Sequence, residues 1–315
     1  MKRVAVIGEI LVEIMADTQG DGFLTPQTLT GPFPSGAPAI FASQMARLDQ
    51  PVAIVSAVGD DDFGRVNLDR LNGDGVDTSA VYIDPERPTG SAFVRYRNDG
   101  ARDFVFNIRH SAAGHLHRNA RVEEVLSAAD HLHVMGSSLS SPEFVELNVR
   151  MVESIHARGG TVSFDPNLRK EILSAPGLAE AMKHILSMTD LFLPSGDELT
   201  MFTDSTDVNM AIDELLAKGI KAIVHKRGID GACYYDPNGH VSVPAFRVEE
   251  IDPTGAGDCF GATYTALWLS GTAPDEALRY AAASGALAVT RRGPMEGAAD
   301  RATLAGFIVK MQDRH

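Results

Sequence analysis

Short runs rich in Val and Ile alternate with amphipathic stretches along most of the chain. The first run, Lys2 to Ile7, ends at Gly8 and reads as a buried parallel strand. From Asp17 to Pro34, Gly, Thr and Pro dominate, which precludes a long helix and favours a loop or an excursion into a small β element. Residues 35–50 switch to helical period, with Ile40, Phe41, Met45, Ala46 and Leu48 as the apolar set and Ser35 near the cap. A strand at 51–59 follows, then a helix that ends in a Gly-Asp-Gly turn. Two alternating runs, Ser91 to Arg97 and Asp103 to Arg109, flank a turn at Asn98, Asp99 and Gly100 and predict a hairpin. Beyond it, helices near 121–128, 142–158, 177–188 and 208–218 alternate with strands at 131–136, 161–167, 191–195 and 222–228, and a hairpin covers 231–248. This alternation predicts an α/β fold: a doubly wound, mostly parallel sheet with helices on both faces, in one domain spanning 1–315.

The chemistry gathers in two places. The carboxyl ends of the later strands carry Asp165, Asn167, Arg169, Ser195, Glu198, Lys226 and Gly228, the edge where open α/β sheets bind ligands. Residues 251–271 read as a strand end, a glycine-rich turn and a buried helix, which places the N–H groups of Gly255, Ala256 and Gly257 at a helix start suited to a phosphoryl group. Asp258 follows directly. It is either a first-turn acid or a base that accepts a proton from an attacking hydroxyl. Glu13 lies beyond the first strand, as a ligand to a sugar hydroxyl or as a solvated carboxylate. The arginines of the first hairpin, Arg95, Arg97, Arg102 and Arg109, stand out in an acidic chain, although most such charges sit on solvated faces.

Composition narrows the classes. A net charge of −14 argues against nucleic acid and anionic membranes as partners. Two cysteines, Cys233 and Cys259, are too few for a disulfide framework and lack metal-ligand spacing. Glu9 and Glu13 interrupt the N-terminal apolar run, so neither a signal peptide nor a membrane span is expected and the cytoplasm is the default location. No lysine is followed by Ser or Thr, which excludes a P-loop, and no GxGxxG follows the first strand; GxSxG and HExxH are also missing. Histidines 110, 115, 117, 131 and 133 cluster in sequence, a pattern more often hydrogen-bonded than catalytic.

Several segments in order resemble the PfkB, or ribokinase-like, family of carbohydrate kinases: SGAPA at 35–39, GDDDFG at 59–64, PTG at 88–90, DPNLR at 165–169, KRGIDG at 226–231 and DPTGAGD at 252–258. The resemblance implies a small β lid, built from about 14–34 and 88–110, over the doubly wound sheet. It makes Asp258 the catalytic base and Gly255, Ala256 and Gly257 an anion hole. It places Lys226, Gly228 and Gly231 at ATP, and Glu198 at Mg2+ through water. Asp252 and Thr254, with carbonyls around Ala288, Arg291 and Gly293, match the place where many members hold a monovalent cation such as K+. Glu13, Gly36, Ala37, Tyr96, Arg109 and Arg169 are the expected sugar contacts. Departures are Ser35 for a second glycine, Ile40 for an asparagine, and SGDE (195–198) where the family has NxxE. The segment NIRHSAAGHL (107–116) is similar to one in 2-keto-3-deoxygluconate kinases, while the DPTGAGDCFGAT wording is closer to tagatose kinase-like members. The implied reaction is ATP-dependent phosphorylation of a primary hydroxyl on a ketohexose, with 2-keto-3-deoxygluconate as the alternative substrate. A nucleoside kinase would want stacking groups in the lid, and a non-catalytic sensor would have no use for Asp258. An exposed lid edge points to a homodimer through the lid.

Overall fold

The computed structural model describes residues 1–20, 22–98, 102–115, 118–168 and 177–312. In chain order the strands are β1 (Val4–Ile7), β2 (Leu11–Ala16), β3 (Leu29–Ser35), β4 (Val52–Gly59), β5 (Val81–Asp84), β6 (Gly90–Tyr96), β7 (Arg102–Asn107), β8 (His131–Met135), β9 (Thr161–Asp165), β10 (Leu191–Phe192), β11 (Ala222–Lys226), β12 (Ala232–Asp236) and β13 (Gly239–Val243). The helices are α1 (Ala37–Arg47), α2 (Asp62–Asp74), α3 (Ala120–Ser127), α4 (Pro142–Ala157), α5 (Leu178–Ser187), α6 (Val208–Ala217), α7 (Ala256–Leu269), α8 (Pro274–Ala288) and α9 (Arg301–Gln312).

Nine strands form the large sheet in the order β13-β12-β11-β10-β9-β8-β1-β4-β5. From β11 to β5 all pairings are parallel, and β12 and β13 add an antiparallel edge. Continuous apolar runs suit strands covered on both faces: Val4, Ala5, Val6 and Ile7 are each 2% exposed or less. One face packs on α3 to α6 through Val125, Phe144, Ile155, Ile185 and Leu215. The other packs on α1 and α7, where Phe41, Met45, Cys259 and Ala262 are buried, and on α8 through Leu278 and Ala281.

A second sheet of four strands, β3-β2-β6-β7, stands apart from the first. It uses the predicted hairpin, with Tyr96 opposite Arg102 and Phe93 opposite Val105. It begins earlier than the sequence suggested, because Leu11 to Ala16 form a strand between β3 and β6. Glu13 is therefore a buried strand residue, 3% exposed, rather than part of a loop after β1.

Other local expectations need correction. Ser35 ends β3, and the cap of α1 is Gly36 at φ 108°, with no side-chain cap bond. Residues 251–255 are a turn, not a strand end, and the strand expected at 191–195 shrinks to two residues. Helices α8 and α9, unread in the sequence, complete the layer that covers α7.

Candidate active site

Helix α7 starts at a residue that must be glycine. Gly255 caps it at φ 79°, and a Cβ there would collide with the Pro294 carbonyl oxygen. The Ile40 methyl Cγ2 stands 3.3 Å from that same position, so the starts of α1 and α7 meet. The backbone after Gly255 carries the first-turn N–H groups of a helix, which have no partner within the helix and attract anions. Gly257 is exposed and Asp258 half-buried, so this end of α7 opens outward.

Around it the strand ends bring three further groups together. Asn167, held at φ 39°, donates from Nδ2 to Asp258 Oδ1 at 3.3 Å. Lys226, at the end of β11, pairs with Asp165 at the end of β9; the two side chains are 10% and 2% exposed. The Lys226 ammonium also lies 3.9 Å from where a Gly257 Cβ would stand, beside the opening of α7. Glu198 accepts backbone N–H bonds from Leu168 and Ser195, each 2.7 Å, the latter within a capping box that starts a turn at Ser195. Burial raises the pKa of Asp165 above the ordinary carboxylate value, against the pull of Lys226. Glu198 is raised by burial and by the neighbouring Asp165 charge. Two crowded carboxylates with one lysine leave an excess of negative charge that a divalent cation would relieve, so the donor set fits Mg2+.

The turn before α7 is equally built. Asp252, 0% exposed, accepts from Thr254 N at 3.0 Å, from Gly293 N at 2.9 Å and from the Tyr96 hydroxyl at 2.9 Å. A buried carboxylate whose own donors are all neutral is a candidate ligand for a monovalent cation, while the Arg102 guanidinium already meets the neighbouring Thr254 hydroxyl at 2.7 Å. The segment after Gly293 is pinned from α2, where Arg70 reaches the Met295 carbonyl at 2.5 Å and Glu296 Oε1 at 3.1 Å.

The remaining expected contacts spread out. Gly36 and Ala37 are buried at the start of α1, and a Cβ on Gly36 would collide with the Glu9 carbonyl oxygen. Glu13 shares a sheet face with Ala92 and Phe106. Tyr96, expected at the sugar, turns its hydroxyl to Asp252 instead, because alternation along β6 aims it at the large domain. Arg95 and Arg97 lie on the opposite face and both pair with Asp103, at 2.6 and 3.8 Å. Phe104 and Phe106 share the Tyr96 face, stacked 5.1 Å apart, so that side of the small sheet carries aromatic rings beside Arg102, whose guanidinium stands 5.7 Å over the Phe104 ring. Arg109 is exposed on the segment leaving β7, and Arg169 falls outside the described residues. Gly228 sits in an exposed turn at φ 56°; Gly231, at φ 87°, is packed so closely on the end of β13 that a Cβ would strike the Val243 carbonyl oxygen. Ala288 ends α8, and Arg291 is exposed two residues before Gly293. Asn167 was expected at the ligand-binding edge of the sheet but not as a partner of Asp258, and Arg70 was not expected at the site at all. An asparagine just past a strand end was a signal for the first; nothing local marks the second.

This geometry can be set beside known proteins. The model of the pfkB family carbohydrate kinases matches residues 1–301. The chain belongs to the PfkB family. Among curated relatives it is 30% identical over 317 residues to a fructokinase of Vibrio alginolyticus, covering 98% of this chain and 99% of the relative. It is also 30% identical to a 2-dehydro-3-deoxygluconokinase of Thermoproteus tenax, over 94% of this chain and 91% of that one. Among solved structures, an E. coli protein provisionally described as ribokinase II, in complex with ATP and Mg2+, superposes with a TM-score of 0.91 at 45% identity over 100% of both chains. A Vibrio cholerae fructokinase double mutant with fructose, ADP and potassium gives 0.83 at 28% identity over 98% of both. This PfkB protein is thus a carbohydrate kinase, a phosphotransferase with an alcohol acceptor, on the ribokinase-like fold. Among the described residues, no helix is long and apolar enough to cross a membrane.

Proposed function

We propose that this kinase transfers the γ-phosphoryl group of ATP to a primary hydroxyl of a ketohexose resembling fructose or tagatose, with Asp258 as the base. The observation that carries the reading is the placement of Asp258 in the first turn of α7, braced by Asn167 and beside the helix-start backbone. Asp258 orients and deprotonates the sugar hydroxyl, and the amides of Gly255, Ala256 and Gly257 take up charge on the phosphoryl oxygens. Lys226, anchored by Asp165, adds positive charge on the same side, and Gly228 and Gly231 shape the turn beside the nucleotide. Glu198 holds Mg2+ through water; the ion supplies charge neutralisation for the phosphates. Asp252, the Thr254 segment and carbonyls of Ala288, Arg291 and Gly293 hold K+, as support from the potassium-bound fructokinase suggests.

The small sheet acts as a lid that keeps water from the base. Its inward face brings Glu13 and the Phe104 and Phe106 pair to the sugar, with Gly36 and Ala37 at the start of α1 and Arg109 on the segment leaving β7; Arg169, outside the described residues, is the other expected contact. Beside the Arg95–Asp103 pair, its outer face carries an apolar patch, with Leu24 92% and Val105 52% exposed and a depression of about 410 Å³ lined by Phe23, Pro26, Leu29, Phe93 and Val105. A homodimer through that face would cover it. The Thermoproteus tenax relative favours a second substrate, 2-keto-3-deoxygluconate, whose carboxylate Arg109 and Arg169 would meet.

A coupled assay of ADP release decides among these. Tagatose, fructose, 2-keto-3-deoxygluconate, ribose and adenosine are offered with Mg2+ and ATP, with and without K+. Turnover on fructose or tagatose with stimulation by K+ is expected; turnover only on the sugar acid selects the second reading, and none on any sugar refutes both.

A further inference from the structure

The small sheet does more than lie over the cleft: it is bonded to the turn that launches α7. Tyr96 and Arg102 are register partners on β6 and β7 and share the face turned to the large domain. The Tyr96 hydroxyl donates to Asp252 Oδ1 at 2.9 Å, and Arg102 Nη1 donates to Thr254 Oγ1 at 2.7 Å. Asp252 is sealed from water, and its other bonds go to the backbone amides of Thr254 and Gly293. A third tie, from Arg292 to Asp17 at 2.5 Å, fastens the residue before Gly293 to the loop after β2.

Thr254 is followed at once by Gly255, which is buried where any Cβ would strike the Pro294 carbonyl oxygen. A shift of the 252–254 turn must therefore move the amides of residues 255–257. We propose that Tyr96 and Arg102 are positioning residues for the anion hole: seated, the small sheet holds the turn that aims those amides, and unseated, it releases them. This rests on the kinase reading and extends it, since the sheet then gates transition-state stabilisation as well as water. It also assigns Tyr96 a partner in the protein in place of the sugar.

The test measures kcat and KM on D-fructose and D-tagatose with MgATP for the wild type and for Y96F, R102M and R102K. Hydrogen exchange of the amides at 254–258 is followed in the same proteins without ligand. Y96F and R102M are expected to lower kcat roughly tenfold, as for a small misplacement of stabilising groups, with sugar KM unchanged. Both should speed exchange at 254–258, and R102K, which keeps a cationic donor, should recover much of the loss. A raised sugar KM with kcat intact would overturn the proposal, because the two side chains would then be sugar contacts. So would wild-type kcat and exchange in both Y96F and R102M. If the wild type turns over neither sugar, exchange alone decides the latch: faster exchange in Y96F and R102M supports it, unchanged exchange refutes it, and the lost turnover counts against the substrate assignment only.

Discussion

Two polar clusters interrupt the apolar interior of the same sheet, and they handle burial in opposite ways. At the strand ends, Asp165, Lys226 and Glu198 are ionisable groups crowded together, with the carboxylate pKa values raised by burial. One strand width away and deeper, His131 and His133 on β8 meet Thr161 and Ser163 on β9. His131 bonds Thr161 and Ser163, each at 2.8 Å, and His133 shares the Ser163 hydroxyl at 2.7 Å while stacking on Phe41 at 3.7 Å. Both rings are fully buried with pKa values driven down, His131 to about 3, so they are neutral. A buried group can avoid the cost of its charge by staying neutral, as the histidines do. The strand-end cluster keeps a charged pair beside the opening of α7, an arrangement that the proposed function uses for chemistry rather than stability.

That contrast can be broken most severely at Lys226. Lys226→Met should strand the buried Asp165 carboxylate and cost about 3–5 kcal/mol of stability near neutral pH, read from urea midpoints. The deficit should shrink toward acid pH, as Asp165 takes up a proton and loses the uncompensated charge. Asp258→Asn is the complementary change: turnover should fall ~10²-fold or more, while sugar and nucleotide binding and the melting temperature hold.

In the neutral cluster the effects reverse. Ser163→Ala leaves ring nitrogens of His131 and His133 without their shared hydroxyl and should cost about 2 kcal/mol of stability with KM values unchanged. Acid should act on the same group. The exposed imidazole of an unfolded chain takes a proton near 6.5, whereas folded His131 resists to about 3. Its contribution is thus complete above 6.5 and is lost progressively as pH falls toward 3, at ~1.4 kcal/mol per pH unit, visible as a declining urea midpoint. A flat midpoint across that window would mean that the ring is already charged in the folded chain.

The sequence by itself determined the alternation of apolar strands and amphipathic helices, because strands covered on both faces must be uniformly apolar and helices on them must carry a stripe. It also marked the glycine-rich start of α7 and the acid beside it, since a positive-φ cap and bare amides have a local signature in Gly255 and Gly257. It could not show that Glu13 sits in the second sheet beside the predicted hairpin, because β2 pairs with β6 across more than seventy residues. Pairs such as Lys226 with Asp165, Tyr96 with Asp252 and Arg70 with Met295 depend on which strand ends and loops the topology brings together. Isolated polar residues carry no periodicity of their own. Only tertiary structure, by closing those distances and excluding water from them, decided which residues became each other's partners.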